Sequence, residues 1–327
     1  MTPGATGVGP RSTRARVVDG LRIGLLLLVL GGVGYALWSN WAEVQGDLRR
    51  LDATTVAVAT FFALASPACA VLGWRVLLAD LGSPLHIAPA SGVFFVGQLG
   101  KYLPGSVWSV VVQTEMAARL GVPRRRTAVV GLLAIGLAAV TALVVGLPAL
   151  PVLLTRGEAD VPPWAVLLGV VPLLLLLWPP LLNLGIRIGL RLLRQPPLEQ
   201  PLGPRAVARS CLWWAVSWGM GGVSVWVLTR ALAPEEVSAS RLALIAICGY
   251  LLAAGVSMLS IVVPAGVGVR EGVLGLLLTT EVSLPAATAV VVVARFLTVV
   301  VDIVVAAAGW GWARAHDLLP ERDRVTS

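Results

Sequence analysis

Lys101 is the single lysine among 25 basic side chains. It stands in Gln98-Leu99-Gly100-Lys101-Tyr102-Leu103-Pro104-Gly105, a polar interruption in an otherwise apolar stretch. Where every other basic residue is arginine, a compact ammonium beside a backbone break suggests a site that needs a point charge or a titratable one. The plainer alternative is a side chain snorkelling to the nearer interface. A second interruption, Pro264-Ala265-Gly266-Val267-Gly268-Val269-Arg270-Glu271-Gly272, again sets charge directly after a break. Pro104 and Pro264 free backbone carbonyls, and Gly105, Gly266 and Gly268 let the chain turn there. The helices that follow begin with unpaired amides at the positive end of a helix dipole. Such ends receive anions, although two simple kinks in packed helices would carry the same residues. Arg295 and Asp302 lie in the last long apolar run, seven residues apart and so on one helical face. Two turns of separation rule out a direct pair, so each is expected to face the bundle interior and meet a charge from an interruption. Glu115 and Arg119 are one helical turn apart, which leaves two readings. They pair with each other near an interface, or they form a charge cluster entering the same cavity as Arg270 and Glu271.

Those residues need a scaffold, and composition names it. The chain has 327 residues, 57% hydrophobic and 13% charged, with a mean hydropathy of +0.87, far more apolar than a soluble domain. Leu21 to Trp38, Ala53 to Ala79, Thr127 to Leu154 and Trp164 to Leu184 are each long enough to cross about 30 Å of hydrocarbon as helix. Continuous apolar runs disfavour a barrel, whose strands alternate. The fold predicted is an all-α polytopic membrane protein. A basic tail, residues 1–20, precedes one integral membrane domain over residues 21–313, and a second tail covers residues 314–327. The first run reads as a retained helix, because no small-residue cleavage site follows it. Cys69, Cys211 and Cys248 sit in apolar runs and imply neither a disulfide framework nor a metal cluster. The net charge of +8 is explained by arginines in short loops that favour retention on the cytoplasmic side, so no nucleic-acid partner is implied. Trp38, Trp41, Trp74, Trp164, Trp310 and Trp312 lie near span ends, as interface anchors do.

The arginines also constrain topology. With the basic N-terminus inside, a full crossing by the segment after His86 would place Arg119, Arg124, Arg125 and Arg126 outside, against the positive-inside rule. A broken hairpin over about residues 85–121, entering and leaving on the cytoplasmic side, removes the conflict. A second hairpin over about residues 242–281 enters from outside, and both termini are expected in the cytoplasm. About six crossings plus two Pro/Gly-broken hairpins of similar arm length, opening to opposite faces, are the pattern of an inverted repeat.

The hairpin Gly97 to Gly105, the Arg-rich turn after it, and Pro264 to Gly272 together resemble the transmembrane region of lysylphosphatidylglycerol synthases, from the first helix to about Trp312. Ala265 stands where that pattern leads one to expect glycine. The resemblance implies an integral plasma-membrane protein that moves lipid between leaflets, without the soluble domain that makes the aminoacylated lipid. It implies importance for Lys101, Pro104, Gly105, Pro264, Gly266, Gly268, Arg270 and Glu271. Gln98, Tyr102, Glu115, Arg119, Arg295 and Asp302 complete the substrate site expected from the residues themselves. The expected partner is a membrane phospholipid, anionic or aminoacylated, or a polyprenyl-phosphate lipid, with no cofactor and no metal. A non-catalytic scaffold for a polyprenyl-linked glycosyltransferase is the alternative. An intramembrane transferase is disfavoured, because there is no phosphate-cradling Gly-Lys-Ser/Thr loop and His86 and His316 are solitary.

Overall fold

The computed structural model describes residues 41–102, 107–155, 163–259 and 268–316. Among them the chain is all-helical. A short helix, α1 (Trp41–Arg50), leads into α2 (Ala53–Asp80), which Asp52 caps by accepting from the Thr55 amide at 2.6 Å. Two short helices follow, α3 (Ile87–Gln98) and α4 (Trp108–Arg119), with a 3₁₀ turn at Leu99–Tyr102 between them. Next come α5 (Arg124–Gly146), α6 (Leu150–Thr155), α7 (Pro163–Leu176), α8 (Pro179–Leu192) and α9 (Pro204–Leu232). The last four are α10 (Ala239–Ala243), α11 (Gly249–Leu259), α12 (Val269–Leu278) and α13 (Leu284–Ala315). Five segments are long and apolar enough to cross a membrane: Ala53–Asp80, Arg124–Val152, Pro204–Leu232, Ala239–Leu259 and Leu284–Ala315. The protein is thus an all-α polytopic membrane protein.

A sixth candidate span departs from the single crossing expected over Trp164 to Leu184. It bends by 51° between Leu176 and Pro179. The cause is local: Pro179 forces the residue before it out of the helical region, and Trp178 is extended, with ψ 122°.

The two broken segments also differ from expectation. The arms of the first, α3 and α4, have 12 residues each, about 18 Å of helix and well short of the hydrocarbon thickness. In the second, the leading arm Ala239–Leu259 has 21 residues, unbroken through a π-turn at Leu244–Cys248, and only α12 is short at 10. Over the described residues the arms of the two segments are therefore unequal. Pro104, Gly105, Pro264 and Gly266, the first apolar run, the N-terminal tail and the residues after His316 lie outside the described residues.

Polar contacts fix where the segments begin and end. Arg126 donates to the Gly82 carbonyl at 2.8 Å and to the Ser83 hydroxyl, while Arg125 and Arg126 both engage Glu199. The Gly203 amide donates to Asp80 at 2.7 Å. The turns around residues 81–86, 120–126 and 193–203 therefore share one end of the bundle, and the α3–α4 segment returns to where it began. Hydrogen bonds from Arg126 hold the Glu199 carboxyl below its ordinary range. Across the 29 residues of α9, Arg241 donates to Glu281 at 2.7 Å, so the second segment also returns to its starting end, the opposite one.

The backbone of the assembly is α2 against α9, antiparallel. Ser210, Ser217 and Ser224 on α9 donate to the carbonyls of Gly73, Ser66 and Ala59 at 3.1, 2.8 and 2.8 Å. Donors climb α9 in steps of seven as acceptors descend α2 in steps of seven, the repeat of a left-handed helix pair. Where lipid replaces water, such small polar contacts between helices hold them together. Changing all three serines to alanine is expected to cost about 2 kcal/mol, at roughly 0.6 each, read as a lower unfolding midpoint in detergent with the helical content unchanged.

Candidate functional site

Two apolar cores flank the middle of the bundle. One joins α2, α3, α4 and α5 to the first half of α9, and the other joins the second half of α9 to α11, α12 and α13. Between them lies a cavity of about 280 Å³. Its walls come from α2, the first broken segment, α5, α9, α11, α12 and α13, so nearly every long element contributes to it.

The charged residues singled out in the sequence meet here. The 3₁₀ turn carries Lys101, whose ammonium lies 2.8 Å from Oδ2 of Asp302 on α13. Tyr102 donates its hydroxyl to the same oxygen at 2.5 Å. Asp302 is only 6% exposed, and a buried carboxylate is tolerated when charge-assisted hydrogen bonds surround it. Two turns earlier on α13, Arg295 lies 3.3 Å from Glu271 on α12. Arg295 and Asp302 therefore do not pair with each other, and each engages one broken segment.

Glu271 has a second task. Its other oxygen accepts the Gly268 amide at 2.6 Å, closing the start of α12. Gly268 has φ +85°, a conformation open chiefly to glycine. A glutamate at the third helical position thus reaches back and takes one of the amides at this helix end. Arg270 points elsewhere. Its guanidinium carbon is 4.4 Å from the centre of the Tyr250 ring, a cation–π contact, and no carboxylate pairs with it among the described residues.

Charge in the cavity is therefore unbalanced. Among the described residues Lys101, Arg270 and Arg295 line it, against the one carboxylate Asp302, with Glu271 in a small recess beside Arg270 and Arg295. Glu115 does not belong to it. Arg124 donates to Glu115 at 3.0 and 2.9 Å, the Glu115 side chain is 58% exposed, and neither Glu115 nor Arg119 lines the cavity. The Gly121 turn, with φ +80°, brings Arg124 back over α4 to Glu115.

With this geometry in view, the comparison with known proteins is informative. Residues 21–306 match the family described as Lysylphosphatidylglycerol synthase TM region. The chain belongs to that family. A search of the curated proteins found no match. All residues of the charged cluster fall inside the span shared with the family, which is consistent with a membrane domain that contacts lipid.

Sequence reasoning missed three contributors. Tyr250, which carries Arg270, is one. Gln113 is another, a lone amide after Val110-Val111-Val112 that is buried in the wall and only 3% exposed. Gly221 is the third: a Cβ there would come within 2.6 Å of the Tyr250 ring. Because the ring's far end can swing, Gly221→Ala is expected to cost only about 1 kcal/mol while displacing the platform under Arg270. Its signature is a several-fold weaker response to an anionic lipid with a nearly unchanged melting temperature.

Proposed function

We propose that this protein moves a lipid with an anionic phosphate headgroup between leaflets, the headgroup resting in the central cavity while the acyl chains stay in the membrane. The observation that supports it is the positive surplus in the cavity, above all Arg270, whose contact among the described residues is an aromatic face instead of a carboxylate. A buried cation is costly in hydrocarbon and marks a pathway, and arginine suits phosphate. Lys101 and Arg295 are tethered by Asp302 and Glu271, so they can answer an incoming phosphate without being left bare when it departs. In this reading the short arms α3, α4 and α12 are re-entrant, the two broken segments form an inverted repeat, both termini are cytoplasmic, and rocking of one half on the other alternates access. No covalent bond is made or broken.

The test is leaflet-resolved movement of fluorescent phosphatidylglycerol in reconstituted vesicles. Arg270→Ala is expected to slow it at least tenfold and Lys101→Ala by several-fold. Movement at the wild-type rate in both variants, or none in wild type with any phospholipid, removes the translocase reading. Capture of a membrane glycosyltransferase together with absent movement would support the scaffold alternative.

A further inference from the structure

Beyond the charges, the cavity holds a neutral group that no described contact satisfies. The Gln113 side chain is buried, its Oε1 has no hydrogen-bond partner, and its amide nitrogen bonds to no described residue. Gln98, half-buried on the same wall and three residues before Lys101, also makes no hydrogen bond to the described residues. The indole N–H of Trp74, buried in the same wall, is without a partner as well. The indole N–H of Trp214, in the same wall, is likewise without a partner. By contrast, the hydroxyls of Ser217, Ser224 and Ser257 are committed to backbone carbonyls.

Buried polar groups are paired in folded proteins, and an orphan in a cavity wall is best explained by a ligand. A carboxamide presents one acceptor and one donor side by side, and two such groups offer each in duplicate. A complement is a pair of neighbouring hydroxyls, each of which both donates and accepts. A cationic headgroup is a poor complement: the one carboxylate lining the cavity, Asp302, is already engaged by Lys101 and Tyr102. The volume of about 280 Å³ is at the small end for ligand pockets and suits a single headgroup.

Resting on the translocase reading, we infer that the headgroup carries a vicinal diol as well as its phosphate, with Gln98 and Gln113 reading the diol and Arg270 reading the phosphate. An aminoacyl ester on one hydroxyl abolishes the diol and adds an ammonium for which no open carboxylate lines the cavity. The diol could belong to glycerol or to a cyclitol.

Binding of short-chain lipids to the full-length protein in detergent separates these claims. Phosphatidylglycerol and phosphatidylinositol carry the diol; phosphatidylpropanol has the same charge without it; lysylphosphatidylglycerol has one hydroxyl esterified. At least one diol lipid is expected to bind about tenfold more tightly than phosphatidylpropanol, and the better of the two names the source. Lysylphosphatidylglycerol is expected to bind no more tightly than phosphatidylpropanol. Gln113→Leu and Gln98→Leu should erase the preference and leave phosphatidylpropanol binding intact, whereas Arg270→Ala should weaken all four. Equal binding of diol and propanol lipids by wild type, or preference for the lysyl ester, overturns the diol inference and leaves the phosphate site standing. No binding of any of the four removes both. Should Gln113→Leu fail to fold, Gln98→Leu and the wild-type ranking decide.

Discussion

Asp302→Ala is expected to destabilise the protein by roughly 2 to 3 kcal/mol and to abolish lipid movement. The carboxylate receives both the Lys101 ammonium and the Tyr102 hydroxyl, so its removal orphans two groups at once. Breaking a fully buried pair costs about 3 to 5 kcal/mol. The lower figure applies here because the Lys101 side chain is 36% exposed toward the cavity and keeps part of its hydration. Replacing both charges, as in Lys101→Met with Asp302→Leu, should recover most of the loss, since an apolar pair of similar volume avoids burying ions at all. Lipid movement should recover only to the several-fold reduced rate expected of Lys101→Ala, because one of three cations that line the cavity is gone. Unfolding in detergent and vesicle assays on wild type, Lys101→Met, Asp302→Leu and the double variant make a double-mutant cycle. A double variant no more stable than Asp302→Ala would show that the pair is not the source of the stability. A double variant that moves lipid at the wild-type rate would show that Lys101 takes no part in transport.

Much of this site was legible before any coordinates, for an energetic reason. A charge inside an apolar run is expensive, so Lys101, Arg270, Glu271, Arg295 and Asp302 stand out, and a spacing of seven correctly sends Arg295 and Asp302 to different partners. The long spans are legible on the same ground, since Ala53–Asp80 and Leu284–Ala315 have no other way to hide their surface. What stayed hidden is relational. Glu115 pairs with Arg124 only because of the intervening turn, and no spacing along one helix shows that. Glu271 closing on Gly268 follows a readable signature, a glutamate at the third helical position, but the charge drew attention toward an external ligand. Ser210, Ser217 and Ser224 repeat at seven, yet a serine among apolar residues carries no cost that marks it until its carbonyl partner on another helix is known. Gln113 escaped for the same reason: a neutral amide is conspicuous only once it is found buried without a partner.

Gly100→Ala is expected to cost about 2 to 3 kcal/mol and to weaken phosphate-lipid binding, although its own side chain touches no charge. A Cβ at Gly100 would lie 2.4 Å from the Ser109 nitrogen and 2.6 Å from the Trp108 carbonyl carbon. Both are backbone atoms of α4. At Gly221 the obstacle is the free end of a ring; at Gly100 nothing can swing aside, so the two arms must part. Overpacking of this kind typically costs about 1 to 3 kcal/mol, and the absence of a yielding side chain argues for the upper part of that range. Parting the arms carries Lys101, the next residue of the same 3₁₀ turn, away from Asp302. The stability cost of Gly100→Ala should therefore shrink when Asp302 is already alanine, because part of what the substitution breaks is then absent. Equal costs in both backgrounds would mean that the glycine only seats one arm on the other. A smaller cost beside Asp302→Ala would identify the close approach of α3 and α4 as what sets the lysine at its place in the cavity.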